Sequence, residues 1–99
     1  MQYEKLVRDK IPAYLESKGI PHEKHIAEDA EYRSELIKKL SEECAEFAEA
    51  GAIEELADVL EVVEALKALP EYATVEEVRR AKCEEKGGFA LRYIVRGEK

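Results

Sequence analysis

The stretch EECAEFAEAGAIEELADVLEVV, residues 42–63, decides the fold expected of this chain. Apolar residues recur on both sides of Gly51 at the spacing of an amphipathic helix, and Gly51 is a typical helix terminator. The pattern predicts two long helices, over residues 31–49 and 52–69, which the short connection makes antiparallel neighbours. We expect an all-α protein built on this helical hairpin, and self-association would add to the modest core of so short a chain.

Shorter helices are predicted on either side of the hairpin. One is expected over residues 11–18, with Asp9 as its cap. Another is expected over residues 74–86, where Thr74 and Glu77 have the spacing of a capping box. The chain has no repeat or linker, so residues 1–99 are interpreted as a single domain.

The end of the chain has a different pattern. Residues 89–95 read FALRYIV, an alternating run rich in aromatic and β-branched residues that is typical of a strand. An extended arm at residues 3–7 is its possible partner. We therefore expect a small terminal strand pairing beside the helices.

Composition narrows the classes of function. The net charge of −7 argues against a nucleic acid polymer or an anionic membrane as partner. No apolar run approaches the roughly 20 residues needed to span a bilayer, and no leader is readable, so a cytoplasmic location is expected. Cys44 and Cys83 lack metal-ligand spacing and are expected to be reduced thiols.

Four acids fall on or beside the apolar faces of the two long helices. At 100° per residue, Glu55 lies in the middle of the apolar arc of its helix and Asp58 lies on the border. On the preceding helix Glu43 lies on the apolar side and Glu46 on its rim. Glu42 and Glu49 point farther toward solvent by the same wheel.

These acids form two pairs at i, i+3, matched across the turn, so all four carboxylates are expected to converge between the helices. Lys38 and Lys39 are judged more than a turn away and Lys67 on another side, so no cation of the chain is expected among them. A carboxylate on a packed face is costly unless it is paired or bound to metal. An all-oxygen ligand set favours Mg²⁺, with Mn²⁺ as a possible substitute, and suggests phosphate chemistry.

The acidic pairs and the histidines also have simpler interpretations. A single ExxE pair usually lies on a solvated helix face. Two pairs matched across a turn make a metal site as probable as a solvated face. His22 and His25 have no third ligand nearby, so a metal role for them is disfavoured.

The same residues resemble the MazG-like all-α nucleoside triphosphate pyrophosphohydrolases, whose signature is EExxE followed by ExxD. Here it reads EECAE at residues 42–46 and ELAD at residues 55–58. KLVRDKIP, EELADVLEV and KGGFALR, which begin at residues 5, 54 and 86, are similar to a short single-domain branch, like phosphoribosyl-ATP pyrophosphohydrolase. Together these segments span nearly the whole chain.

The resemblance implies Mg²⁺-dependent hydrolysis of a nucleoside triphosphate, non-canonical or deoxy forms included, to the monophosphate and pyrophosphate. It implies that Glu43, Glu46, Glu55 and Asp58 hold the metal. Glu42 is implied as the catalytic residue that orients or deprotonates the water. Family members form dimers or tetramers in which helices of two subunits complete a bundle, so the resemblance implies a homodimer or homotetramer whose hairpins complete a four-helix-type bundle.

Basic residues are needed to bind the phosphates. The candidates are Lys5, Arg8, Lys10, Lys82 and Arg92. For Arg8 a structural ion pair with Asp9 is an equal alternative. Two other functions stay open: phosphoribosyl-ATP hydrolysis, and a non-enzymatic acidic helical module that binds a basic partner and whose inward acids pair with arginines of another subunit.

Overall fold

The structure, a computed structural model, describes residues 4–98 and is all-helical over that range. Its helices are α1 (Ile11–Ser17), α2 (Asp29–Ala50), α3 (Ile53–Lys67) and α4 (Val75–Lys86), with a short 3₁₀ turn at Pro70–Tyr72 between the last two. The predicted helices are confirmed to within two residues at each end. None of the helices in residues 4–98 combines the length and apolar character needed to cross a membrane.

The turn between α2 and α3 is made as the sequence predicts. Gly51 takes a left-handed conformation, with φ of 63°, and its N–H donates to the carbonyl of Phe47 at 2.7 Å. A glycine adopts this conformation at little cost, which lets the chain leave α2 and enter α3 after only two residues. The α2–α3 hairpin is the main packed unit of the chain.

The core is small and lies between these two helices. Leu36 of α2 and Val62 of α3, at 3% and 7% exposed, are the buried apolar side chains of the described residues. The radius of gyration is 17.8 Å, whereas a compact domain of this length has about 13 Å. The single chain is therefore extended, with much apolar surface outside the hairpin.

Three local predictions are corrected. Residues 4–98 contain no strand: Arg92, with φ of 65°, donates its N–H to Phe89 at 3.1 Å in a turn that interrupts the alternating segment. An alternating run needs a strand edge to pair with, and the described part of the chain presents none. Lys10 rather than Asp9 precedes α1, and Thr74 precedes α4 without a side-chain cap. Tyr3 lies outside the described residues.

Candidate functional site

One flank of the hairpin carries the acids of the signature. All of these acids except Glu42 line two adjoining clefts, and Asp58 belongs to both. The acid cleft, about 470 Å³, is lined by Glu46, Glu49, Ala50, Glu55 and Asp58. The arm cleft, about 310 Å³, is lined by Lys5, Val7, Arg8, Ile11, Lys39, Glu43 and Asp58. The hairpin thus brings all four predicted metal ligands to one flank, three in the acid cleft and Glu43 next to it.

Glu43 is the buried acid of the hairpin. The residue is 7% exposed, as the helical wheel of α2 predicts. Its Oε1 lies 3.4 Å from Lys39 Nζ, while its Oε2 is buried and has no hydrogen-bond partner among residues 4–98. An unsatisfied buried carboxylate oxygen costs free energy, so this atom is the clearest place for a positive group to bind.

Glu43 also contacts Glu46, one turn along the same face. When Glu46 is protonated it donates a hydrogen bond to the Glu43 carboxylate, which raises the pKa of Glu46, and the charge of Glu43 raises it further, ahead of smaller effects of burial and of Glu42. Two carboxyl groups that share a site in this way resist being ionised together. A cation placed between them would relieve that repulsion.

The burial of the other ligands differs from the prediction. Glu46 is exposed, and Glu55 and Asp58 are half-buried. The inward position expected for Glu55 is therefore only partly reached in the single chain, because the acid cleft that it lines is open to solvent.

The expectation that no cation lies among the acids is wrong. Lys39 Nζ lies 3.4 Å from Glu43 and 3.7 Å from Glu42, because i, i+3 and i, i+4 neighbours stack on one helix face and the lysine side chain is long. Lys5 Nζ reaches Glu42 Oε1 at 3.3 Å. Arg8 Nη2 donates to Asp58 Oδ1 at 2.6 Å. The distance assigned to Lys39 is too long, because Lys39 lies one turn before Glu43 and their i, i+4 spacing alone indicates this contact.

The phosphate-binding candidates divide into two groups. Lys5 and Arg8 lie in the arm cleft beside the acids, and Arg8 pairs with Asp58 instead of the neighbouring Asp9. Lys10, Lys82 and Arg92 line neither cleft: Lys10 precedes α1, Lys82 is exposed on α4 and Arg92 is exposed in the tail.

The chemistry of the donor atoms suits a metal ion, whereas their present spacing does not. Within residues 4–98 no three His, Cys, Asp or Glu side chains stand close enough to form a ready metal site. Yet the donors are all carboxylate oxygens, one of them buried without a partner, which suits a hard cation. Glu43, Glu46, Glu55 and Asp58 would hold such an ion after side-chain rotation, with Arg8 displaced from Asp58.

The two histidines take other partners. The Nδ1 of His22 lies 3.0 Å from the carbonyl of Ile20, and the ring of His25 hydrogen-bonds to Glu31 at 3.0 Å. That bond with Glu31 raises the pKa of His25, with the charge of Glu31 as the second cause. Cys44 and Cys83 are both free, exposed thiols.

Comparison of the chain with protein-family models, with curated proteins and with solved structures found no match.

Proposed function

We propose that this protein is a Mg²⁺-dependent pyrophosphohydrolase that converts a nucleoside triphosphate to its monophosphate and pyrophosphate. The observation that carries the proposal is Glu43 Oε2, a buried carboxylate oxygen without a partner, next to Glu46 and the acid cleft. The likeness of the EECAE and ELAD motifs to the MazG-like enzymes supplies the reaction.

The acid cleft suits the cation of a metal–nucleotide complex, and the arm cleft suits its phosphates. Carboxylates from both helices face the acid cleft and would hold the cation, while Lys5 and Arg8 in the arm cleft would hold phosphate oxygens. Asp58 lines both clefts, so the cation and the phosphates would meet beside it. When bound, Mg²⁺ polarises a phosphoryl oxygen and makes water a better nucleophile.

Glu42 is the proposed catalytic residue. Its Oε1 accepts ion pairs from Lys5 and Lys39, at 3.3 and 3.7 Å, which restrain the carboxylate next to the arm cleft. In the reaction, the water oxygen bonds to the α-phosphorus, and the bond from that phosphorus to the α–β bridging oxygen breaks. Pyrophosphate leaves with the bridging oxygen, and Glu42 orients the water or takes its proton.

The test is pyrophosphate release from a panel of nucleotides. The panel contains ordinary, non-canonical and deoxynucleoside triphosphates and phosphoribosyl-ATP, each with Mg²⁺, with Mn²⁺ and with a chelator. We expect release from at least one nucleotide that the chelator stops. Absence of release from the whole panel, at high enzyme concentration and with either ion, overturns the proposal.

A second candidate is a non-enzymatic acidic helical module, and the ion pairs favour it. Arg8 already neutralises Asp58, and Lys39 lies beside Glu43. In that case the acids of the flank serve folding and partner binding. Calorimetric titration with Mg²⁺ and Mn²⁺ separates the two, because the module has no reason to bind either ion at the hairpin.

We also propose that copies of the chain associate, as a homodimer or homotetramer, to complete a four-helix-type bundle. The support is the exposed apolar stripe of α3, formed by Ile53, Leu56 and Leu60 at i, i+3 and i+7. Ile37 of α2 is exposed as well. A second hairpin would cover these side chains, as the small core of the single chain requires.

A further inference from the structure

The single chain exposes more surface than a folded protein of its size. Its accessible surface is 9336 Å², whereas the usual scaling for a compact chain of 11.3 kDa gives about 5,700 Å². The excess of about 3,600 Å² is larger than the roughly 1,000–2,500 Å² that each partner buries in an obligate homodimer. The chain therefore has surface available for more than the packing of one hairpin on another.

The C-terminal segment, residues 86–96, carries much of the exposed apolar surface. Five large apolar or aromatic side chains within ten residues are between 77% and 98% exposed. They are Phe89, Leu91, Tyr93, Ile94 and Val95. A contiguous set of this kind is typical of a contact surface rather than of a solvated tail.

The charge of the C-terminal segment is opposite to that of the chain. Residues 86–96 contain Lys86, Arg92 and Arg96 and no acid, in a protein whose net charge is −7. The acid cleft is the reverse, with four carboxylate residues and Ala50 as its lining. The segment and the cleft are thus complementary in sign, and in the single chain Arg92 lines neither cleft.

We propose that the C-terminal segment of one copy docks at the acid cleft of a second copy of this chain. Arg92 and Arg96 pair with Glu49, the cleft carboxylate that is not a proposed metal ligand, and the apolar side chains cover the adjoining helix surface. A second copy is the occupant because the excess surface exceeds one hairpin interface and both complementary surfaces belong to the same chain. Docking needs no nucleotide; the added role of Arg92 as a phosphate ligand in the partner's site rests on the proposed function.

The first test measures association of the full chain by sedimentation velocity over a range of concentrations. Replacing Leu91 and Val95 by Ser should weaken association at least 10-fold. Ile26→Ser is the matched control, because Ile26 is 96% exposed and lies outside the segment; it should leave association unchanged. A monomeric wild-type protein, or equal association of the double variant, overturns the proposal.

The second test asks whether docking takes place between copies. Arg92→Glu places a glutamate of the segment opposite the unchanged Glu49 of the cleft, and Glu49→Lys places a lysine of the cleft opposite the unchanged Arg92 of the segment. Each variant alone should associate weakly, because like charges face each other. Mixing them should restore a hetero-complex by native mass spectrometry, since both segment–cleft contacts become attractive again.

If the segment docks in its own chain instead, mixing yields no such complex, and the proposal fails. Neither test contains a nucleotide or a metal ion. A protein that releases no pyrophosphate can therefore still form this interface, and a protein without the interface can still catalyse the reaction.

Discussion

Arg8 and Asp58 are joined by a 2.6 Å hydrogen bond across 50 positions of the chain, from the arm before α1 to the acid-bearing face of α3. The two residues are the predicted phosphate ligand and a predicted metal ligand. Each neutralises the charge of the other, and this contact, together with the ion pair of Lys5 with Glu42, couples the segment before α1 to the hairpin.

Arg8→Gln should change the affinities for cation and anion in opposite directions. Arg8 competes with a cation for Asp58, so its removal should tighten Mn²⁺ binding by about 2- to 5-fold, the range expected of an exposed ion pair. The same change removes a phosphate donor and should weaken pyrophosphate binding. Isothermal titration with each ligand measures both.

Lys24→Gln is the control for this change, because Lys24 is also exposed but pairs with Glu16 away from the clefts. It should alter neither affinity. A loss of both affinities in Arg8→Gln would mean that Arg8 acts only in folding.

Glu55→Gln should abolish pyrophosphate release while the chain stays folded, because a proposed metal ligand is lost and no ion pair is broken. We expect at least a 100-fold loss, equivalent to about 2.7 kcal/mol of barrier, by a coupled phosphate assay. Asp58→Ala should be equally inactive. It removes a charge near the packed face, which favours folding, and it loses the contact with Arg8, which opposes it.

Glu61→Gln is the matched change on the exposed face of α3 and should keep normal turnover. Normal turnover in Glu55→Gln would show that the ligands are assigned wrongly, even if the reaction itself is right.

Glu43→Gln should stabilise the protein in the absence of divalent ions. The substitution replaces a buried carboxylate that has an unpartnered oxygen by a neutral amide, whose N–H₂ group can donate to Glu46. The folded state should gain about 1 kcal/mol of stability from this change. Thermal unfolding with a chelator measures the gain. With saturating Mg²⁺ the order should reverse, because only the wild type gains stability from binding the ion. A variant that is less stable than wild type under both conditions would contradict a metal role for Glu43.

The stability of the hairpin should fall as pH rises through the range above the ordinary Glu pKa. Glu43 raises the pKa of Glu46 above its ordinary value, so over this range the folded state binds more protons than the unfolded state. At lower pH both states are protonated and the penalty vanishes. The stability gain of Glu46→Gln over wild type, from urea unfolding between pH 4 and 7, should therefore grow with pH.

Mg²⁺ should remove this pH-dependent difference by neutralising the Glu43–Glu46 pair. Glu84→Gln, an exposed change on α4, should give a difference that does not vary over the same range. A gain for Glu46→Gln that is constant with pH would show that the two carboxyl groups do not interact in the folded protein.

The long helices could be predicted because their signals are local. Gly51 ends α2 through its own backbone conformation, and the 3.6-residue period alone places Glu43 on the packed face. The burial of Glu55 could not be predicted in the same way. Its position on the helix wheel is inward, but its exposure depends on what lies over that flank of α3.

Residues 42–63 by themselves determined the antiparallel hairpin and the gathering of four acids on one of its flanks, because helical period and a left-handed glycine act over a few residues. The contact of Lys39 with Glu43 follows from helical spacing, but only the tertiary structure decided which cations from outside α2 meet those acids. Arg8 reaches Asp58 from 50 positions away, and such a contact depends on how the arm folds back over the hairpin, which no short-range pattern records. The absence of a strand in residues 89–95 has the same origin, since a strand requires a partner edge from elsewhere.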